Sequence, residues 1–275
     1  MKRVLVTGAA GQLGHDVLRQ LTNVDAIGCD RAEMDLCDSQ EIRDYLEIIA
    51  PDAIIHCGAY TAVDKAEDDR DMCFAVNEEA TKEISEYCKR KDTLLIYIST
   101  DYVFDGTKPT PYLETDPPEP IGVYGLSKYL GETHVRQVKR HFIVRISWVF
   151  GHHGANFVKT MLKLSQVRNS LTVVADQYGS PTYTEDLAPI LIKMLDSNKY
   201  GTYHATNEGF CSWFDFARKI FEVKGITMDL IPVTSDQYPT RAKRPANSRM
   251  SKSKLKESGI GTLPTWEDAL KRFLQ

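Results

Sequence analysis

A short glycine-rich turn near the amino terminus constrains the fold of this chain more than any other feature. Residues 4–6 form an apolar run typical of a buried strand, residues 7–14 read TGAAGQLG, and residues 13–21 have the spacing of a helix. Glycine suits such a turn because it has no Cβ to collide with a phosphate or a neighbouring strand. The free N–H groups at the start of the helix attract negative charge. The turn therefore predicts a bound nucleotide.

The first half of the chain alternates short apolar strands with helical stretches. Strands are predicted at residues 4–6, 26–29, 53–57, 94–98 and 143–146, and helices at 13–21, 39–49, 71–91 and 124–140. Fully apolar strands joined by helices indicate a parallel sheet that is covered on both faces. We expect an α/β fold with a Rossmann-like, doubly wound parallel sheet and a smaller C-terminal substrate lobe.

The pattern becomes less regular after residue 150. Helices are predicted at residues 157–168, 184–196, 213–223 and 266–274, and strands at 171–175 and 201–205; a Pro- and Arg-rich loop precedes the last helix. We assign residues 1–150 to an NAD(P)-binding Rossmann domain and residues 151–275 mostly to a substrate-binding lobe. Elements at about 171–200 are candidates to return to the main sheet.

Composition and charge exclude several classes of protein. The 34 basic and 38 acidic residues give a net charge of −4, and proline interrupts the basic cluster at residues 241–249, so we expect no nucleic-acid partner. No apolar stretch approaches the ~18 residues of a membrane helix, and the first apolar run is too short for a signal peptide. The six cysteines form no C-x-x-C pair, which favours reduced thiols in the cytoplasm over zinc ligands or disulfides.

A tyrosine and a lysine four residues apart begin the helix predicted at 124–140. Tyr124 and Lys128 lie on one helix face, and a nearby ammonium lowers the pKa of a phenol from its usual value near 10. Such a pair can give a proton to the alkoxide that forms in hydride transfer. Thr100 follows the fourth strand, where ligands of parallel sheets bind, and can orient a carbonyl. Taken alone, the Tyr124–Lys128 spacing is also typical of a surface pair, and a threonine at the position of Thr100 is also typical of a capping residue.

Two residues after the second strand bear on the choice of cofactor. Asp30 lies 16 residues after Gly14, where a carboxylate can accept hydrogen bonds from both ribose hydroxyls of an adenosine. Arg31 follows directly and can pair with a 2′-phosphate. The first residue favours NAD(H) and the second NADP(H), so the sequence leaves this choice open.

Together, these motifs resemble the extended short-chain dehydrogenase/reductase family. Within this family, the chain resembles the dTDP-4-dehydrorhamnose reductases over nearly its whole length. The resemblance lies in blocks at residues 60–67, 99–106, 123–125, 145–149, 156–161, 176–182 and 244–248. The resemblance implies that NADPH or NADH reduces the 4-keto group of dTDP-4-dehydro-L-rhamnose, giving dTDP-L-rhamnose for polysaccharide biosynthesis. A dTDP-sugar is then the expected small-molecule partner.

The resemblance also implies a set of site residues. Catalysis would rest on Thr100, Tyr124 and Lys128, with Tyr124 as the proton donor. The cofactor would be bound by Gly8, Gly11, Gln12, Leu13, Gly14, Asp30, Arg31, Asp35, Leu36, Ala59, Tyr60, Thr61, Ser99, Tyr124 and Lys128. The substrate would be bound by Thr100, Asp101 and Trp148, while a core position is the structural alternative for Trp148.

Some members of this family carry Mg²⁺ at a dimer interface through glutamates. Here the matching positions hold Asp16, whose side chain is shorter, and Glu185. Because Mg²⁺ demands nearly octahedral oxygen ligands at about 2.0–2.1 Å, we assign no metal-binding residue and expect weak metal dependence. A homodimer is compatible with the resemblance, and the sequence does not fix the oligomeric state.

Two alternative functions stay open. The first is another nucleotide-sugar enzyme: a 4,6-dehydratase needs a glutamate base where Tyr102 stands here, and an epimerase consumes no NADPH. The second is a non-catalytic regulatory subunit resembling that of methionine adenosyltransferase, which binds a partner protein. Stoichiometric loss of NADPH would argue against both the epimerase and the regulatory subunit.

Overall fold

The computed structural model describes all 275 residues and is built around one six-stranded parallel sheet. The strands are β1 (Arg3–Thr7), β2 (Asp25–Cys29), β3 (Ala53–His56), β4 (Leu94–Thr100), β5 (His141–Ile146), β6 (Val149–Phe150), β7 (Ser170–Val174), β8 (Tyr178–Gly179), β9 (Thr182–Tyr183), β10 (Gly201–His204), β11 (Cys211–Ser212) and β12 (Asp229–Val233). The sheet has the order β10-β5-β4-β3-β1-β2. The predicted α/β fold with a Rossmann-like parallel sheet is confirmed.

Helices connect these strands. They are α1 (Gln12–Gln20), α2 (Ser39–Ile49), α3 (Val63–Ala66), α4 (Arg70–Phe74), α5 (Ala80–Lys91), α6 (Val123–Val135), α7 (Phe157–Ser165), α8 (Thr184–Met194), α9 (Trp213–Lys224), α10 (Ser253–Glu257) and α11 (Trp266–Leu274). A π-helical segment, Ala75–Glu79, joins α4 to α5, so the single helix predicted at 71–91 is interrupted. The helix predicted at 124–140 already ends at Val135. None of the helices is both long enough and apolar enough to span a membrane.

Two apolar clusters lie on opposite faces of the sheet. Val4 and Val6 belong to one and Leu5 to the other, because successive side chains of a strand point to opposite faces. Helices α1 and α8 cover the first face, and α2, α5 and α6 cover the second. Burial on both faces leaves the carboxyl edge of the sheet as the place for a ligand.

The second half of the chain contributes to both parts of the molecule. Strand β10 pairs with β5, and α8 packs against α1, whereas β7 stays outside the sheet and pairs with β12. Strand β12 lies in the loop predicted before the last helix, and Pro232 within it weakens the strand signal. A third cluster joins α7, α9 and α11. We propose that residues 1–150, completed by α8 and β10, form the Rossmann domain, and that the remainder forms the smaller lobe.

Candidate active site

A cleft of about 760 Å³ lies at the carboxyl edge of the sheet. All residues that the sequence marked for cofactor, substrate or catalysis line it, namely Gly8, Gly11, Gln12, Leu13, Gly14, Asp30, Arg31, Asp35, Leu36, Ala59, Tyr60, Thr61, Ser99, Thr100, Asp101, Tyr124, Lys128 and Trp148. Met34, Met72 and Tyr102 also line the cleft. No motif identified the two methionines, and Tyr102 lies inside the block at 99–106.

The glycine-rich turn forms the floor of the cleft at one end. Gly8 has a φ of +66°, and a Cβ there would lie 2.8 Å from the Cα of Gly58. A Cβ on Gly14 would lie 2.1 Å from the carbonyl oxygen of Gly8. Helix α1 starts at Gln12, and no side chain caps its first N–H groups. These groups and the close backbone approach fit the diphosphate of a dinucleotide.

Asp30 and Arg31 are held in different ways. The Oδ2 of Asp30 accepts a hydrogen bond of 2.6 Å from the backbone N–H of Ala10, which fixes the carboxylate beside the turn. Arg31 is 79% exposed, and its Nε donates to Asp35 at 3.1 Å. A backbone N–H from Cys37 lowers the pKa of Asp35, and Arg31 lowers it further. Asp30 is therefore a fixed acceptor, while Arg31 is a surface cation.

Thr100, Tyr124 and Lys128 meet at the ends of β4 and α6. Burial raises the pKa of the Tyr124 phenol well above its usual value, and a hydrogen bond with Thr100 opposes this shift. Burial also lowers the pKa of Lys128 to about 7. The Nζ of Lys128 lies 4.1 Å from the centroid of the Tyr97 ring. The sequence predicted that Lys128 lowers the pKa of Tyr124; in this structure burial is the largest influence on both groups, and the pKa of Tyr124 is raised instead.

Asp101 places an unsatisfied acceptor in the wall of the cleft. Its side chain is buried, its Oδ1 accepts a hydrogen bond of 3.0 Å from Thr100, and its Oδ2 makes no hydrogen bond of standard geometry, although the nearby Ser248 hydroxyl lowers the pKa of the carboxyl. Burial raises the pKa of this carboxyl to about 6. A buried carboxylate oxygen without a partner is costly unless a ligand satisfies it. The arrangement suits a substrate hydroxyl as donor.

Asn77 supports the site from behind and lies in the π-helical segment. Its Oδ1 accepts from the N–H of Tyr60 at 2.9 Å, and its Nδ2 donates to the carbonyl of Tyr60 at 3.1 Å. The same Nδ2 donates to Ser127 on α6 at 3.0 Å. Asn77 thus ties the loop after β3 to the helix that carries Tyr124 and Lys128. Local π-helical geometry is frequent at functional sites.

Comparison with known proteins identifies the family. The whole chain, residues 1–275, matches the family described as RmlD substrate binding domain. This chain belongs to the RmlD substrate binding domain family. The match leaves no part of the chain outside the family.

Similar proteins match nearly the full length of this chain. It is 41% identical to the spore coat polysaccharide biosynthesis protein SpsK of Bacillus subtilis (strain 168), over 100% of this chain and 98% of that protein. It is 39% identical to dTDP-4-dehydrorhamnose reductase of Aggregatibacter actinomycetemcomitans, over 99% and 98%. It is also similar to the crystal structure of dTDP-4-dehydrorhamnose reductase from Bacillus anthracis str. Ames in complex with NADP, with a TM-score of 0.96, 41% identity and 99% of each chain covered.

The two carboxylates considered for Mg²⁺ have protein partners in this RmlD-family chain. Asp16 is buried and accepts a hydrogen bond from Thr184. Glu185 pairs with Arg19, whose Nε also lies 3.7 Å from Asp16. No group of three or more His, Cys, Asp or Glu side chains is arranged to hold a metal ion. A cation at this position would have to compete with Arg19.

Proposed function

We propose that this protein reduces the 4-keto group of dTDP-4-dehydro-L-rhamnose to give dTDP-L-rhamnose, with NADPH or NADH as the reductant. The main support is the convergence of Thr100, Tyr124 and Lys128 in the cleft that also contains the glycine-rich turn. Full-length similarity to dTDP-4-dehydrorhamnose reductases supports the same reaction.

The dinucleotide would extend from the glycine-rich turn toward Tyr124, and when bound it supplies the hydride. The N–H groups at the start of α1 would hold its diphosphate, and Asp30 would accept hydrogen bonds from the adenosine ribose. Arg31 is free to turn toward a 2′-phosphate because its only ion pair, with Asp35, lies on the surface. These residues therefore suit NADPH as well as NADH.

Tyr124 would supply the proton that the reduced carbonyl oxygen requires. A phenol keeps its proton at neutral pH, and burial raises the pKa of Tyr124 further, so the group is present in the form that donates. The Thr100 hydroxyl, which donates to Asp101 here, would turn its single proton toward the carbonyl to orient and polarise it. Lys128 lies one helical turn beyond Tyr124 and, when charged, would stabilise the phenolate left after proton transfer.

Asp101 and Trp148 would bind the dTDP-sugar. The free oxygen of Asp101 can accept a sugar hydroxyl, and the half-buried indole of Trp148 borders the cleft. Large flat rings with one N–H donor are suited to sugars. All six cysteines are free thiols, which supports a cytoplasmic location. A homodimer is compatible with this function.

The direct test is NADPH oxidation by the purified protein with dTDP-4-dehydro-L-rhamnose, with the product identified by NMR. We expect one NADPH consumed for each dTDP-L-rhamnose formed. Isomerised sugar without loss of NADPH would instead identify an epimerase. Absence of any turnover with this sugar and related dTDP-4-keto sugars would favour the non-catalytic alternative. Tyr102 in place of a glutamate base argues against a dehydratase.

A further inference from the structure

Two of the three tryptophans in the chain are stacked on each other at the rim of the cleft. The ring centroids of Trp148 and Trp213 are 3.7 Å apart, and the ring planes differ by 13°. Trp148 lines the cleft, whereas Trp213 lies behind it and is not part of the lining. The third, Trp266, is buried in the core of the smaller lobe. The pair therefore connects the cleft to the smaller lobe.

The backbone holds Trp148 in an unusual conformation. Its φ is +49°, in the left-handed region that bulky residues rarely adopt. Three hydrogen bonds fix this segment: Ser147 Oγ donates to the carbonyl of Ser180 at 2.7 Å, Thr182 Oγ1 donates to the carbonyl of Ser147 at 2.6 Å, and the N–H of Thr182 donates to the carbonyl of Trp148 at 3.1 Å. Strained backbone that is fixed in this way tends to occur at ligand sites.

Gly179 gives the Trp148 ring the space that it occupies. A Cβ at this position would lie 2.7 Å from Cε2 of Trp148, so only glycine fits beside the indole. Gly179 in β8 pairs with Cys211 in β11. Strand β11 leads directly into α9, which begins at Trp213. The same pair of strands thus sets the positions of both indoles.

The amino-terminal end of α9 is firmly anchored. The Ser212 side chain accepts a hydrogen bond from the N–H of Asp215, and the Asp215 side chain accepts one from the N–H of Ser212, which forms a capping box. Trp213 also packs against the ring of Phe157, with centroids 4.7 Å apart. Trp213 is therefore a rigid support rather than a mobile surface residue.

We propose that Trp213 is a positioning residue and that the Trp148–Trp213 stack is a preformed platform for the sugar of the dTDP-sugar substrate. This inference rests on the proposed function. Trp148 contacts the substrate, and Trp213 fixes the orientation of its ring before binding. Preorganisation raises affinity because less side-chain motion is lost on binding. The cofactor binds at the glycine-rich turn and does not depend on the stack.

The stack has a spectroscopic signature that can be measured without any ligand. Closely stacked indoles give an exciton couplet in the far-ultraviolet circular dichroism spectrum. We expect the couplet in the wild-type protein, its loss in both Trp148→Leu and Trp213→Leu, and its retention in Trp266→Phe. A wild-type spectrum without a couplet, or a couplet that survives Trp213→Leu, would overturn the proposed platform.

Binding of dTDP-L-rhamnose and of NADPH, each measured by calorimetry, tests what the stack does. An aromatic pair is worth up to about tenfold in binding, so Trp213→Leu should weaken dTDP-L-rhamnose about tenfold and leave NADPH unchanged. Trp213→Phe should restore most of the affinity. Phe221→Leu is the matched control, since Phe221 is buried in the same cluster on α9 and stacks on neither indole; it should cost stability and leave both affinities unchanged.

These measurements distinguish a failure of the proposed Trp148–Trp213 platform from a failure of the proposed reaction. Wild-type affinity for dTDP-L-rhamnose in Trp213→Leu, or an equal loss in Phe221→Leu, would show that Trp213 is only a core residue. A wild-type protein that binds dTDP-L-rhamnose but oxidises no NADPH would contradict the proposed reaction and leave the platform standing. Active wild-type protein with an unaffected Trp213→Leu variant would contradict only the platform.

Discussion

The Glu132 carboxylate and the Arg145 guanidinium form a bidentate ion pair in which neither side chain is exposed to solvent. Nε of Arg145 lies 2.8 Å from Oε1 and Nη2 lies 2.7 Å from Oε2. Ser99 donates to the same carboxylate at 2.6 Å. Glu132 is on the helix that carries Lys128, and Ser99 precedes Thr100 at the end of β4. The pair therefore ties α6 to the strands that end at the candidate active site.

Removing one partner of this ion pair should be strongly destabilising. Glu132→Ala leaves the Arg145 charge buried without compensation, and such changes cost about 3–5 kcal/mol. The free energy of unfolding in urea measures this loss. Replacing both residues by methionine should recover part of the stability, because buried ion pairs can be exchanged for apolar residues at little cost, while Ser99 and Arg136 lose the carboxylate that they contact. A single variant as stable as the wild type would show that the pair contributes nothing.

The elements that the sequence predicted correctly depend on local spacing. The glycine-rich turn, the apolar strands and the Tyr124–Lys128 spacing are each contained in a few consecutive residues, and the structure brings all of them to one cleft. The sequence predicted neither the π-helical segment nor strand β12. The π-helical segment shares its spacing with the α-helix predicted at 71–91, and the signal for β12 is weak. Asp229–Val233 is largely exposed and contains a proline, so only its pairing with β7 makes it a strand.

Long-range and electrostatic features could not be predicted in the same way. Glu132 and Arg145 meet because α6 returns to the sheet beside β5, and no local pattern marks either residue as buried. The pKa of Tyr124 was expected to fall beside Lys128, but it is raised because desolvation depends on the complete fold. The stack of Trp213 on Trp148 likewise joins residues that are far apart in the chain.

Asp101→Asn should stabilise the protein at alkaline pH and impair substrate binding. The folded-state pKa of Asp101 is raised from 3.8 to about 6, so its stabilising contribution is complete below 3.8 and is lost as the pH rises through about 6. This shift corresponds to about 3 kcal/mol, which the uncharged asparagine should recover at pH 8. Unfolding at pH 8 and at low pH checks the sign, since the difference should shrink in acid.

Asp105→Asn is the control of opposite sign for this experiment. Hydrogen bonds from Thr107 and Tyr112 lower the pKa of Asp105, so its contribution is present above the unfolded pKa and is lost in acid. The variant should therefore be less stable than the wild type at pH 8. If Asp101→Asn were also destabilising at pH 8, this would contradict the conclusion that burial of the Asp101 carboxyl raises its pKa.

Arg31→Ala should shift cofactor preference toward NADH. Because Arg31 is exposed, one contact with a 2′-phosphate is worth only about 1 kcal/mol, so the shift should stay below about tenfold. The ratio of kcat/KM for NADPH to kcat/KM for NADH measures the effect. An unchanged ratio would assign the preference to Asp30 or to the loop at Asp35.

Turnover should depend little on divalent metal. Asp16 and Glu185 already have Thr184 and Arg19 as partners, and an aspartate reaches less far than a glutamate toward a shared ion. Activity and sedimentation with and without EDTA provide the test, and we expect the same values in both. A large fall in turnover on chelation, or dissociation of a dimer, would show that the two carboxylates bind a functional ion.

The proposed mechanism is tested most directly by the turnover of the Tyr124→Phe variant with NADPH and dTDP-4-dehydro-L-rhamnose, measured together with the affinity of the variant for NADPH. The substitution removes one hydroxyl and keeps the ring, which lies edge-on to Tyr102 with centroids 5.5 Å apart. If Tyr124 donates the proton, kcat should fall about 10²–10⁴-fold, while the Kd of NADPH stays that of the wild type. Wild-type turnover in the folded variant would contradict the proposed role of Tyr124 and the mechanism built on it.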